Sequence, residues 1–227
     1  MNAATFKSYK TRYRAAIQKV LSESEKGRLD EAGFPAYSHR NPYIHWLFWR
    51  RLHKAINFAE RGAPYARVLD FGCGSGVMLP FLSEISREVC AYDVDLLPLR
   101  RVEKYIPLRK NVKIFDAAQT DLSSFPAASF DLITALDVLE HVQDLPAAVR
   151  ALMKLLKPGG RLLVSGPTEN LFYQMGRRLA GPEYSGAYHE RGIAEIKREL
   201  ASAGDIQPIA LLHWYLPLFE VFAVSPK

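Results

Sequence analysis

The chain has 227 residues, of which 48% are hydrophobic and 24% charged, which is ordinary for a globular protein with one sizeable core. Two cysteines, Cys73 and Cys90, are too few for a disulfide framework, so we expect a cytoplasmic protein. The first residues are polar and basic, unlike a signal peptide, and the most apolar stretch, 209–224, is interrupted by a histidine, a proline and a glutamate. We therefore expect no membrane span.

The net charge of +6 is distributed unevenly. Residues 1–61, which we call the N-terminal arm, contain 12 Lys/Arg and 5 Asp/Glu, a balance of +7, whereas residues 62–227 contain the remaining 18 and 19, a balance of −1. This excess predicts an anionic partner, either a membrane surface, which would place the protein at the membrane periphery, or an anionic acceptor molecule. A solvated basic face without a partner is an equally good interpretation.

Apolar residues of the arm recur at helical spacing in two segments, separated by a break at 27–35. Asn41 and Pro42 are typical of the N-cap and first position of the second helix. The apolar stripes are Phe6, Tyr9, Tyr13, Ile17, Val20 and Leu21, then Ile44, Leu47, Phe48, Leu52, Ile56 and Ala59. Arg50, Arg51 and Lys54 lie beside the second stripe. Its aromatic residues either pack onto the following domain or offer an interfacial surface to lipid; they are Trp46, Phe48 and Trp49.

From residue 66 the pattern changes to strands alternating with helices, which predicts parallel βαβ units in a single α/β domain over residues 62–227. Seven strands are predicted, at 67–71, 89–94, 112–115, 131–136, 161–165, 206–212 and 218–224. Helices are predicted at 77–86, 96–105, 145–156 and 193–203. A further amphipathic segment at 169–180 is either a lid over an acceptor pocket or an ordinary packed helix.

A glycine-rich loop follows the first strand in the segment 68–76, Val-Leu-Asp-Phe-Gly-Cys-Gly-Ser-Gly. Glycines allow positive φ angles and the close approach of a ligand to the backbone. The usual dinucleotide pattern is Gly-x-Gly-x-x-Gly, but Val77 stands where its last glycine would be. Asp70, just before the loop, would repel a pyrophosphate and suits a ligand with an ammonium group.

A second acid, Asp93, ends the second strand 21 residues after Gly72. A carboxylate there can accept hydrogen bonds from both hydroxyls of a ribose. Many nucleotide sites use this device, so Asp93 indicates a ribose and not a particular nucleotide. The alternative is an N-cap for the following helix.

Two further motifs follow along the chain. Segment 130–142 contains Val-Leu-Glu-His-Val, and segment 156–165 reads Leu-Lys-Pro-Gly-Gly-Arg-Leu-Leu-Val-Ser. Together with the glycine loop and Asp93, they make residues 68–167 resemble the class I S-adenosylmethionine-dependent methyltransferases, in particular their small-molecule group. The resemblance implies a Rossmann-like, seven-stranded, mostly parallel sheet with helices on both faces. It also implies S-adenosyl-L-methionine as the cofactor of a methyltransferase.

The resemblance also implies roles for particular residues. Asp70 and the loop backbone would hold the methionine end of the cofactor, and Asp93 the ribose. Asp116 would contact the adenine edge, with Asp121 as a rival, and Asp137 would line the pocket near the sulfonium. The expected cofactor-binding residues are Asp70, Gly72, Cys73, Gly74, Asp93, Val94, Asp116, Ala117 and Asp137.

The acceptor is expected to be a small molecule methylated on oxygen or nitrogen, acidic or lipid-linked. No metal is needed because the leaving group is a neutral thioether, although a hydroxyl acceptor needs a base. His141 and His189 are the candidates for that base, and packing or loop roles are their alternatives. Tyr184 and Tyr188, in the loop that contains His189, are expected to border the acceptor.

Three other functions compete with this prediction. An RNA methyltransferase could use the basic arm, but the sequence has no Asn-Pro-Pro-Tyr motif or recognisable RNA-binding module, so we expect no nucleic-acid partner. A cofactor-binding regulatory protein without turnover would keep the same binding residues. A dehydrogenase, which also binds a ribose through an acid, is a further alternative.

Overall fold

The computed structural model describes residues 3–23, 37, 41–168, 192–212 and 218–227. Both predicted helices of the arm are present, as α1 (Ala3–Glu23) and α2 (Pro42–Arg61). The side chain of Asn41 accepts a hydrogen bond from the backbone N–H of Tyr43 at 2.9 Å, which confirms the predicted N-cap.

Seven strands form one sheet in the order β3-β2-β1-β4-β5-β7-β6. The strands are β1 (Tyr65–Phe71), β2 (Ser86–Asp93), β3 (Val112–Asp116), β4 (Phe130–Leu136), β5 (Leu156–Pro167), β6 (Gly204–Leu212) and β7 (Phe219–Pro226). Strands β1 to β5 pair in parallel, and β7 pairs antiparallel with both β5 and β6. The predicted mostly parallel, Rossmann-like α/β sheet is confirmed.

The remaining helices are α3 (Leu79–Ile85), α4 (Leu97–Glu103), α5 (Leu145–Leu155) and α6 (Ile193–Ala203), with 3-10 turns at Leu122–Ser124 and Leu139–His141. The predicted positions hold, but some bounds differ for local reasons. Pro80 lies in the first turn of α3 and fixes its start, so this helix is shorter than predicted. Strand β5 begins five residues earlier than predicted, because Leu156 already has an extended backbone and Lys157 precedes a proline.

Successive residues of the central strands point to opposite faces of the sheet and build two cores. Val68 and Leu132 face the core that also contains the buried residues of α1, α2 and α3. Leu69 and Ile133 face the core beneath α5 and α6. The arm therefore shares one face of the sheet with α3 and α4.

The aromatic residues of α2 divide between the two roles expected of them. Trp49 is 2% exposed and lies against the rings of α1, and Phe48 packs on Phe219 with ring centroids 5.1 Å apart. Trp46 is 47% exposed and stacks on Tyr43. Of the three aromatic residues, Phe48 and Trp49 thus pack on the core, and Trp46 does not. No helix in the described part of the chain is long and apolar enough to cross a membrane.

Candidate active site

The site lies at the carboxyl ends of the strands, where the strand order reverses. From β1 the chain proceeds outward to β2 and β3, and from β4 it proceeds the other way to β5. The crevice outside such a switch point is the usual ligand position in open α/β sheets. The predicted acids of β1, β2 and β3 and the glycine loop all reach this edge.

Three glycines of the loop have positive φ: Gly72 at 71°, Gly74 at 51° and Gly76 at 78°. A Cβ at Gly72 would overlap the side chain of Val138, which follows β4. The backbone N–H of Gly72 donates to the carbonyl of Tyr92 at 2.8 Å and ties the loop to β2. The loop therefore needs glycine for both its backbone angles and its close packing.

Asp70 is 4% exposed and accepts a hydrogen bond from Thr134 Oγ1 at 2.6 Å. Burial raises the pKa of its carboxyl to about 7, against the opposing effect of the Thr134 hydrogen bond and with a smaller contribution from the charge of Asp93. A cationic group brought beside it would favour the ionised form. Asp70 is thus a buried carboxylate suited to a positively charged ligand atom.

Asp93 ends β2 half-buried, and backbone N–H groups hold both of its carboxylate oxygens. Oδ2 accepts from Gly74 at 2.7 Å and Oδ1 from Asp95 at 3.0 Å. Each oxygen retains a second acceptor site for a ligand hydroxyl. The alternative role as a helix cap is wrong, because the side chain of Asp95 and not that of Asp93 accepts from the first N–H of α4, on Leu97.

Val94 and Asp116 flank Asp93. Val94 is 79% exposed, which makes it an apolar surface at the mouth of the crevice. Asp116 pairs in register with Asp93, and Ala117 donates its N–H to the carbonyl of Asp93 at 2.9 Å. The rival acid Asp121 caps a 3-10 turn and accepts from the N–H of Ser123 at 2.7 Å. Asp116 is therefore the acid that lies at the same edge of the sheet as Asp70 of β1 and Asp93 of β2.

Asp137 follows β4 in an unusual conformation for a non-glycine residue, with φ at 54°. Its carboxylate accepts from Ser165 Oγ at 2.9 Å and forms an ion pair with Arg51 of α2. The sequence predicts Arg51 beside the apolar stripe of α2, with Arg50 and Lys54, but its side chain is buried. The burial of Arg51 could have been predicted from its spacing. Leu47, Arg51 and Ala55 recur every four residues on the buried side of α2.

Sequence reasoning also missed the contacts of α1 with the loop. The hydroxyl of Tyr13 donates to Ser75, where the Oγ lies at 2.6 Å and the carbonyl oxygen at 3.1 Å, and the hydroxyl of Tyr9 donates to the carbonyl of Val77 at 2.9 Å. Both tyrosines were predicted on the apolar stripe, but the polar end of each ring meets a loop that is more than 60 residues away in the sequence.

Of the two candidate bases, His141 and His189, only His141 lies among the described residues. His141 is exposed in the 3-10 turn after β4, on the carboxyl side of the sheet. His189, Tyr184, Tyr188 and the segment 169–180 lie outside the described residues. The acceptor-binding roles of these residues remain predictions.

Comparisons with known proteins decide which family the chain belongs to. Residues 43–219 match the model of a family described as a methyltransferase domain. The chain belongs to this methyltransferase family. The resemblance predicted from the motifs is thereby confirmed.

A ubiquinone biosynthesis O-methyltransferase of Xanthomonas axonopodis pv. citri (strain 306) is 41% identical over 103 residues, which are 44% of this chain and 42% of the relative. The match thus spans less than half the length of this curated relative.

Two solved structures show the same fold at low identity. The N-methyltransferase NodS from Bradyrhizobium japonicum WM9 is 18% identical, with a TM-score of 0.60 over 83% of this chain and 99% of that chain. The [4+2]-cyclase SpnF is 16% identical, with a TM-score of 0.59 over 79% and 81%. A cyclase among these structures means that the fold by itself does not fix the reaction.

Proposed function

We propose that the protein transfers a methyl group from S-adenosylmethionine to a hydroxyl of a small molecule. The observation that carries the proposal is the row of three carboxylates, Asp70, Asp93 and Asp116, at the ends of three adjacent strands beside the glycine loop. Neighbouring strands lie about 5 Å apart, so the row extends over about 10 Å, which is the scale of a nucleoside joined to an amino acid.

The chemistry of the row fits this cofactor from one end to the other. The buried carboxylate of Asp70 suits the ammonium group of the methionine part, and Asp93 has acceptor capacity for a ribose diol. Asp116 can accept from the amino group of adenine, and the exposed Val94 offers an apolar surface to the purine ring. A dinucleotide fits less well, because its pyrophosphate would approach the carboxylate of Asp70.

The bound cofactor supplies an electrophilic methyl group on a sulfonium. The protein's task is to hold the acceptor in line with that group, to exclude water and to take up the acceptor's proton. We propose His141 or His189 as the base, since the curated relatives are named for O-methylation and a hydroxyl must lose its proton. If the acceptor is an amine or already ionised, positioning and desolvation suffice.

A mass-spectrometric assay tests the reaction. The chain is incubated with S-adenosylmethionine bearing a deuterated methyl group and a panel of small phenolic acceptors with acidic or prenyl substituents. A labelled methyl ether and an equal amount of S-adenosylhomocysteine are expected. Tight cofactor binding without any labelled product across the panel would favour the regulatory alternative. Labelled RNA in a parallel incubation with total RNA would favour the nucleic-acid one.

For the arm we propose an anionic membrane surface as the partner, so that the protein works in the cytoplasm at the membrane periphery. Three side chains with the same orientation on α2 support this: Tyr43 and Trp46 are exposed and stacked, and Arg50 follows one turn later, also exposed. Amphipathic rings beside cations are the composition of an interfacial helix.

Liposome co-sedimentation tests this partner. Binding should rise with the fraction of anionic lipid and fall with salt, and the Trp46→Ala substitution should weaken it. Equal, negligible pelleting on neutral and anionic vesicles at low salt would contradict the proposal. In that case an anionic acceptor molecule becomes the better explanation of the charge, and a truncation of the arm would change turnover or stability without a change in localisation.

A further inference from the structure

Two neighbouring arginines of α2 have opposite environments. Arg50 is exposed, whereas Arg51 is 2% exposed. A buried guanidinium is strongly disfavoured unless it is paired and hydrogen-bonded. The position of Arg51 in the fold therefore depends on its partners.

Those partners hold the guanidinium on several sides. It forms an ion pair with Asp137 and donates from Nη2 to the hydroxyl of Tyr37 at 3.0 Å. Its central carbon lies 4.9 Å from the ring centroid of Phe48 and 5.1 Å from that of Phe219, in the range of cation–π contacts. A planar group held in this way has one orientation, and lysine cannot reproduce all of these contacts.

The carboxylate that Arg51 meets lies at a junction. Asp137 has φ at 54°, and its backbone N–H donates to the carbonyl of Ser165 at 2.9 Å. The next residue, Val138, fills the space where a Cβ of Gly72 would lie. The conformation of Asp137 thus sets the wall against which the glycine loop packs.

The same arm holds the opposite side of the loop. Tyr13 donates its hydroxyl to Ser75, and its ring lies edge-on to that of Tyr37 with centroids 6.1 Å apart. Tyr37 in turn receives the hydrogen bond from Arg51. A continuous set of contacts therefore runs from the loop through the arm to the end of β4.

We propose that Arg51 is a positioning residue, which fixes Asp137 and through it the glycine loop, so that the arm determines how well the cofactor is held. The proposal rests on the proposed function, since it concerns the same cofactor site. Arg51 acts through Asp137 and takes no part in the chemical step.

The test measures binding of S-adenosylhomocysteine by calorimetry to the full chain, alongside the melting temperature of the unliganded protein. The variants are Arg51→Met, Arg51→Lys and Asp137→Asn, with the Arg51→Met/Asp137→Asn double variant. Arg61→Met is the matched control, because Arg61 is an exposed arginine of the same helix that donates to the backbone of Asn57.

Arg51→Met is expected to weaken binding at least about tenfold, with part of the loss recovered in Arg51→Lys and Arg61→Met within about twofold of wild type. In the double variant, the added Asp137→Asn change should cost less than it does in wild type, because the restraint is already lost. If Arg51→Met does not fold, Tyr37→Phe replaces it, since it removes one hydroxyl and keeps the ring, and a weakening of about two- to fivefold is expected.

Wild-type affinity in a folded Arg51→Met or Tyr37→Phe variant would overturn the positioning role, as would strictly additive losses in the double variant. Failure of the wild-type chain to bind S-adenosylhomocysteine is a different result and would overturn the proposed function itself.

Discussion

The carboxyl edge of the sheet and the N-terminal arm both contact the glycine loop, but with different chemistry and over different distances in the sequence. The edge contributes carboxylates and backbone N–H groups within about 50 residues of one another, from Asp70 to Asp116. The arm contributes tyrosine hydroxyls and a buried arginine, and its contacts join Tyr13 to Ser75 and Arg51 to Asp137, 62 and 86 residues apart. By the proposed function the first region faces the cofactor, and by the proposed role of Arg51 the second region holds the first in shape.

This difference predicts how substitutions in the two regions affect cofactor binding. A substitution on the edge should alter the cofactor contact itself, whereas a substitution in the arm should alter the cofactor contact through the loop. The expected effects of the two kinds of change differ in size, and each of the following experiments can separate the regions further or show that they are not separate.

The largest effect is expected on turnover. If the base is one of the two candidates, His141→Ala or His189→Ala should lower the rate of methyl transfer by about 10²–10⁴-fold, because the acceptor's proton then lacks a recipient. Cofactor affinity, measured by calorimetry, should hardly change. Near-wild-type rates in both variants would show that no histidine base is used and that positioning carries the reaction.

The next effect concerns the loop. Gly72→Ala should cost about 2–4 kcal/mol in stability and abolish most cofactor binding, because the new Cβ meets Val138 at a positive φ. Gly159→Ala is the matched control: its φ is 78°, but no atom lies within 4 Å of the added Cβ. It should cost about 1 kcal/mol and leave cofactor binding intact. Equal losses in both would mean that backbone strain and not packing governs the loop.

Loss of the ribose contact should come next. Asp93→Ala is expected to weaken binding of S-adenosylhomocysteine by roughly 1–3 kcal/mol, since charged hydrogen bonds are lost. Asp121→Ala, which removes an exposed acid that caps a turn, should leave the affinity unchanged. Wild-type affinity in Asp93→Ala, measured by calorimetry, would contradict the ribose contact, and a loss in Asp121→Ala would favour Asp121 over Asp116 at the adenine edge.

A pH dependence should follow from Asp70. Its pKa is raised to about 7, so the folded protein retains a proton that the unfolded chain releases near pH 4. Its contribution to stability therefore falls as the pH rises from about 4 to 7. Cofactor affinity should change in the opposite direction, rising up to about tenfold per pH unit until about pH 7, because the ammonium group binds the ionised carboxylate. An unchanged slope in Asp70→Asn would assign the dependence to another group.

The smallest effect tests the arm. Tyr13→Phe removes one hydroxyl from the loop and should cost about 1 kcal/mol in stability and a few-fold in cofactor affinity. Tyr65→Phe is the control, because Tyr65 donates a comparable hydrogen bond to the carbonyl of Ala59 at the opposite end of the sheet. It should lower the melting temperature similarly and leave affinity unchanged. Equal affinities in the two variants would mean that α1 does not hold the loop.

The sequence predicted most of the sheet and its cofactor edge, because these depend on local patterns. The glycine loop at Asp70 to Gly76 and the acid that ends β2 can be placed from local sequence patterns alone. Both follow parallel strands, and the carboxyl ends of parallel strands share one edge of the sheet. The buried state of Arg51 was missed, because a charged residue is exposed by default and its partner lies 86 residues away. The role of Asp95 as the acceptor for the start of α4 was also missed, because Asp93 and Asp95 are two residues apart and each could cap it.

The most direct measurement is an isothermal titration of the full chain with S-adenosylhomocysteine and, separately, with NAD. The row of carboxylates and the glycine loop predict binding of S-adenosylhomocysteine, and no heat from NAD, whose pyrophosphate would face Asp70. Binding of NAD with no response to S-adenosylhomocysteine or S-adenosylmethionine would contradict the account.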